Sequence, residues 1–123
     1  MQQRSQSSIA VALAGTLALL GLAPQLAEAS ELSVAGSAIA AAQCGPCHAV
    51  GATDTSPHKI TPPLRTLAAD FPIPMLVEAL KTGVVSGHDE MPMFDLGTEG
   101  VRALVAYIDS LNPKGPQYLA EKP

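Results

Sequence analysis

Apolar positions fall into blocks separated by polar, Gly- and Pro-rich stretches, and wherever their spacing is regular it is helical. Leu32, Gly36, Ile39 and Ala40 recur at that spacing and predict a helix from Leu32 to about Gln43. A Gly/Thr/Ser/Pro-rich stretch from Gly51 to Pro63 reads as a loop. Pro63 can open a short helix through about Ala69, which Phe71-Pro72 would end. Pro74 can begin the next, with an apolar face of Met75, Leu76, Ala79 and Leu80, Lys81 in its last turn and Gly83 as its stop. Met75 on that face reads as a core residue. A second loop runs from Val84 to Gly97. The clearest helix follows: Thr98 is placed as N-cap, Glu99 suits the helix dipole, and Val101, Leu104, Val105, Ile108 and Leu111 form one stripe. Asn112-Pro113 ends it. No run of alternating β-branched residues offers a central sheet, so the expected fold class is all-α.

The ends have a different character. Met1 to Ala29 has a polar start with Arg4, an apolar core from Ile9 to Ala23, and the small-x-small triplet Ala27-Glu28-Ala29. This reads as a secretory signal peptide cleaved after Ala29. The alternative is an uncleaved membrane anchor, for which an apolar core of about 15 residues is short of the ~20 that a span needs. The expected organisation is therefore residues 1–29 as signal, 30–112 as one domain, and 113–123 as a Pro/Gly/charged tail, expected to be solvated.

Cleavage would leave about 94 residues, one small domain that buries its core only marginally and gains from a staple. Only two Phe and two Tyr are present, so aliphatic side chains must pack around something bulky. The net charge of −4 is unchanged by cleavage, since Arg4 and Glu28 leave together. That acidity argues against nucleic acid and favours a partner with a basic docking surface.

The chemistry is concentrated in Cys44-Gly45-Pro46-Cys47-His48, which holds both cysteines of the chain. Two thiols three positions apart with an imidazole directly after the second are the attachment signature of c-type haem. The thiols can add to two vinyl groups on one porphyrin edge, which places His48 beneath the iron as proximal ligand. Two rivals share these letters. A thioredoxin-type dithiol wants a βαβ context and usually an aromatic before the first Cys; here Gln43 stands there and tryptophan is absent. A zinc site wants four ligands, which one CxxC and three scattered histidines supply poorly. Export adds a further argument. In an oxidising compartment these cysteines are too close for an ordinary structural bridge, and thioether attachment would consume both.

The order of features resembles the class I cytochrome c family over nearly all of the mature chain. The family's marks are a first helix (Gly36 to Cys44), CxxCH (Cys44 to His48), a Pro-x-Leu segment (Pro62-Pro63-Leu64), a Met-bearing loop (Gly87-His88-Asp89-Glu90-Met91-Pro92) and a last amphipathic helix (Thr98 to Leu111). The resemblance implies a cytochrome c fold of three to five helices wrapped around one covalently bound haem c. It implies that Gly36 crosses Tyr107, that Met91 is the distal iron ligand, and that the Pro62 backbone carbonyl accepts from the proximal imidazole. Ala40 departs from the family, which usually has a bulky aromatic there. Met93 and His88 compete with Met91 for the sixth position, although Met93 reads better as a loop hydrophobe near Phe94. Leu64, Leu67, Leu76, Leu80, Phe94 and Leu104 are candidate haem walls, each equally describable as ordinary core. His58, His88 and Asp89-Glu90 read as solvated loop groups, and Arg65 either pairs with a propionate or is a solvated charge.

The function this implies is one-electron transfer without bond-breaking catalysis: a periplasmic, monomeric, single-haem carrier between a donor dehydrogenase and an acceptor oxidase or reductase. It would bind no nucleic acid and make no stable membrane insertion once cleaved. A dedicated cytochrome subunit of an enzyme complex is the alternative within this chemistry. A haem protein with an open sixth site, binding gas or acting as a sensor, is the alternative outside it.

Overall fold

A computed structural model describes residues 23–82 and 91–118. Among them the regular structure is entirely helical: α1 (Ala23–Ile39), a π-helical turn (Ala40–Cys44), α2 (Leu64–Asp70), α3 (Ile73–Thr82) and α4 (Gly97–Ser110). The chain divides into two compact units, Met1–Ser30 and Glu31–Pro123. Of the first, the described part is residues 23–30, all helical. The second holds the core and the candidate site.

α1 is already helical at Ala23, where the described residues begin, well ahead of the expected Leu32. Gln25-Leu26-Ala27-Glu28-Ala29 are all good helix formers, a propensity that an apolar-face count does not register. Further along, Gly36 meets α4 as expected. A Cβ at Gly36 would overlap the Ala103 carbonyl and lie 2.7 Å from the Tyr107 Cβ, so only glycine permits the approach. Ala40, one turn on, is fully buried.

α2 follows Pro63, which stands as its N-cap, and stops at Phe71 in extended backbone (φ −124°, ψ 138°), the region that a following proline imposes. α3 turns Ile73, Leu76, Val77 and Leu80 inward. Met75 falls off that face and is 60% exposed, so the expected core role fails. Gly83, its expected stop, lies outside the described residues.

α4 supplies the floor of the core. Val101, Leu104, Val105 and Ile108 are buried against Ala40, Leu64, Ala68 and Ile73, with Leu111 partly buried beside them. Its start differs from expectation: Leu96 rather than Thr98 occupies the N-cap, and Gly97 opens the helix at φ +61°, a left-handed value that favours glycine. The Gly97 N–H donates to Asp95 Oδ1 at 3.3 Å, so the polar side chain at this end precedes the expected cap.

The segment after α4 is also ordered differently from expectation. Asp109, only 2% exposed, accepts from the Gln117 and Tyr118 backbone N–H groups through Oδ2, each at 2.6 Å. Tyr118 packs against the core. Asn112 is buried, donating from Nδ2 to the Ala68 carbonyl (3.3 Å) and accepting from the Lys114 N–H through Oδ1 (3.0 Å). The tail as far as Tyr118 is thus anchored through its backbone, while Pro113, Lys114, Pro116 and Gln117 stay exposed, as a solvated tail would. No helix among the described residues is long and apolar enough to cross a membrane.

Candidate haem site

The π-helical turn delivers the motif. Gly45 N–H reaches back five residues to the Ala40 carbonyl at 2.9 Å, widening the helix just before the cysteines. Such turns recur where a helix must re-aim a functional group. The chain then tightens: Cys47 and His48 both donate their N–H groups to the Cys44 carbonyl, at 3.1 and 2.8 Å. Cys44, Cys47 and His48 consequently line one cavity of about 310 Å³, shared with Met91, Pro92 and Phe94. Cys44 is half-buried and Cys47 exposed. Burial pushes the Cys44 thiol above its ordinary value.

His48 is buried, and its Nδ1 lies 2.7 Å from the Pro62 carbonyl. A carbonyl only accepts, so this contact makes Nδ1 the protonated nitrogen and directs any metal to Nε2. The Pro62 carbonyl is held there because the next amide of that segment, Leu64 N–H, donates to the Ala49 carbonyl at 2.9 Å. On the other side of the motif, Thr61 Oγ1 lies 2.5 Å from the Cys47 carbonyl and 2.8 Å from the His58 carbonyl, and the His58 N–H donates to the Cys47 carbonyl at 3.2 Å. The 49–63 loop is therefore folded onto the motif.

The remaining candidates divide clearly. Met93 is 74% exposed and does not line the cavity, which leaves Met91 as the described methionine that does. His88 and Asp89-Glu90 lie outside the described residues. His58 lines the cavity. Among the expected haem walls Phe94 lines it too, whereas Leu64 and Leu104 are core residues and Leu67, Leu76 and Leu80 pack against that core. Arg65 pairs with Asp54 at 3.5 Å and donates to the Gly51 carbonyl at 3.3 Å. It is therefore a paired, partly exposed charge rather than a freely solvated one.

The cavity also has walls that pattern reading missed: Ala42, Gln43, Pro46, Ile60 and Thr61. Ile60 carried a signal, being a large apolar residue inside a polar loop, and it is 71% exposed. The donor set fits haem c. Two thiols at the fixed separation, an imidazole with its tautomer set and a thioether face one mainly apolar space. Among the described residues no group of three or more His, Cys, Asp or Glu gathers for a zinc ion, and no strand supplies a thioredoxin sheet.

No curated protein and no solved structure matches the chain significantly. A family model does, over residues 33–108, more than half the chain and including every residue of the cavity. That model is described as cytochrome c oxidase, cbb3-type, subunit III. On this match and on the all-helical fold, the chain belongs to that family of class I-like c-type cytochrome domains, whose function is electron transfer through covalently bound haem c.

Proposed function

We propose that this chain is an exported, single-haem electron carrier whose iron is held between His48 and Met91. One observation carries the reading: Cys44, Cys47, His48 and Met91 meet at one cavity while the His48 Nδ1 is committed to the Pro62 carbonyl. Cys44 and Cys47 would hold the group by thioether bonds. His48 would present Nε2 in a fixed orientation, since Nδ1 is engaged. Met91, half-buried and followed by Pro92, would present its thioether from a stiffened backbone. Haem, when bound, supplies a one-electron couple, and a Met ligand raises its potential into a carrier's range. Phe94 and Ile60 would shield the space from water, and the exposed Cys47 marks the edge through which an electron would pass. The chain would catalyse no bond-breaking reaction. Export, cleavage after Ala29 and periplasmic exchange between a dehydrogenase and an oxidase or reductase complete the proposal, as a monomer.

Optical spectroscopy tests it. The ferric protein should show the Met–iron charge-transfer band, and the ferrous protein should bind CO poorly. Met91→Ala should abolish the band and give high-spin iron, while Met93→Ala leaves it unchanged. Prompt CO binding by the unmodified protein would favour an open-site gas binder instead.

A second reading, a dedicated cytochrome subunit of an oxidase or dehydrogenase complex, is favoured by the family description and by uncharged Ile60 and Pro92 exposed at the cavity. An apolar rim suits a lasting interface better than a brief encounter. Purification without detergent separates the two: a carrier elutes alone, and a subunit remains with its complex.

A further inference from the structure

The backbone immediately after His48 is held more thoroughly than a surface loop requires. Every backbone polar group from Ala49 to Gly51 has a partner. Ala49 N–H donates to Ser56 Oγ (2.9 Å), and the Ala49 carbonyl accepts from the Leu64 N–H (2.9 Å). Val50 N–H donates to Asp54 Oδ2 (3.0 Å), and the Val50 carbonyl accepts from the Tyr107 hydroxyl (2.7 Å). Gly51 N–H donates to Asp54 Oδ1 (2.9 Å), and the Gly51 carbonyl accepts from Arg65 Nη1 (3.3 Å). Arg65 also pairs with Asp54 at 3.5 Å.

Topology gives this cluster a purpose. His48 to Ala49 and Pro62 to Leu64 form two sides of a short circuit, closed by the imidazole–Pro62 bond and the Ala49–Leu64 bond. Asp54 grips the chain just beyond the first side, and Arg65 directly follows the second. The Asp54–Arg65 pair therefore spans the two sides from outside. A partly exposed ion pair contributes little to stability, and this one is long. Its leverage is geometric.

We infer that Arg65, acting through Asp54 and the Gly51 carbonyl, is a positioning residue for the proximal imidazole: it sets the length of the bond from His48 to Pro62 and thereby the electron donation of His48 to iron. The inference rests on the assignment of His48 as proximal ligand. A tight Nδ1–H···O bond makes the ring a stronger donor, favours ferric iron and lowers the potential. Loosening the brace raises it. Loss of a positive charge does the reverse, because removing a cation near the iron favours the ferric state. The two mechanisms thus predict opposite signs for the same substitution.

The test compares the haem-loaded protein with Arg65→Ala and Arg65→Lys by potentiometric titration, the proton shift of the His48 Nδ1–H in the diamagnetic ferrous protein, and backbone amide exchange. Arg65→Ala should raise the midpoint potential, move the Nδ1–H resonance upfield as its hydrogen bond loosens, and speed exchange at Val50 and Gly51 about tenfold. Arg65→Lys, which keeps the charge but not the planar fork, should recover part of each change. A lowered potential in Arg65→Ala shows a field or propionate role and overturns the inference, as does an unchanged potential and proton shift. If the parent protein shows no His48–iron bond, the site assignment falls, and that result is distinct from failure of the brace.

Discussion

Tyr107 shows how one side chain serves two purposes. Its Cβ sits where Gly36 crosses α4, and its hydroxyl donates across 57 positions of sequence to the Val50 carbonyl. Burial first, and the Asp54 carboxylate second, push its phenol above the ordinary value. The neutral form is thus favoured in the fold. Stability from this group is complete below the unfolded pKa of a tyrosine, about 10, and is lost as pH rises through the raised folded value. Tyr107→Phe should cost about 1 kcal/mol at neutral pH through the lost hydrogen bond, and should flatten the alkaline fall in stability. Urea unfolding at pH 7 and above pH 10 checks both parts.

At Gly36 the tolerance is smaller still. Gly36→Ala drives a methyl into the Ala103 carbonyl and the Tyr107 Cβ, backbone and stem atoms that cannot rotate away. A loss of about 1–3 kcal/mol is expected, read as a drop in thermal midpoint of the haem-loaded protein. A midpoint unchanged within error would mean the helices do not cross there.

Among the elements, α4 combines the most legible pattern with the least legible ends. Its stripe of Val101, Leu104, Val105 and Ile108 was readable because helical burial repeats at a fixed interval. Its N-terminus was misread because Thr98 is a good capping residue by type, whereas Asp95 reaches the Gly97 N–H from outside the helix. Its other end hides a carboxylate: Asp109 sits beside Ile108 in the buried face because two tail amides need its oxygen. Asp109→Ala should free residues 113–118, making Lys114 a trypsin site that the parent protein resists. It should also lower stability by about 2–3 kcal/mol, as removal of charge-assisted hydrogen bonds does. Timed proteolysis with mass analysis measures the first effect and denaturant unfolding the second. The anchoring of the tail is not legible in its own residues, because Pro, Gly and charged residues carry no periodicity. Its anchor lies on another element, which composition does not reveal.

For the molecule as a whole, charge governs encounters. A net charge of −4 repels anionic oxidants and attracts cationic ones, and salt screens both beyond about 10 Å at 0.1 M. Oxidation of the ferrous protein by ferricyanide should therefore accelerate with ionic strength, and oxidation by a cationic cobalt complex should slow. Stopped-flow traces over a salt series give the two slopes. Slopes of the same sign would show that local charge at the cavity edge, not the net charge, directs the approach.

The chain by itself determined the attachment chemistry and the helical class. Both depend on short separations: two thiols and an imidazole lie within five positions, and helical burial repeats every three to four. The family resemblance named Pro62 and Met91, but only the tertiary structure decided the contacts that hold them and brace His48. Its carbonyl partner lies 14 positions away, the brace joins Asp54 to Arg65, and Met91 reaches the cavity from a loop beyond α3. Each of those contacts has at least one end in an irregular segment, where no period relates a residue's identity to its direction, and the brace runs from such a loop to the first turn of α2. They form because packing of α2 and α4 brings the segments together and leaves buried backbone groups that must find partners. The motif determined which atoms can hold a haem; the surrounding loop determined how firmly one of them is aimed.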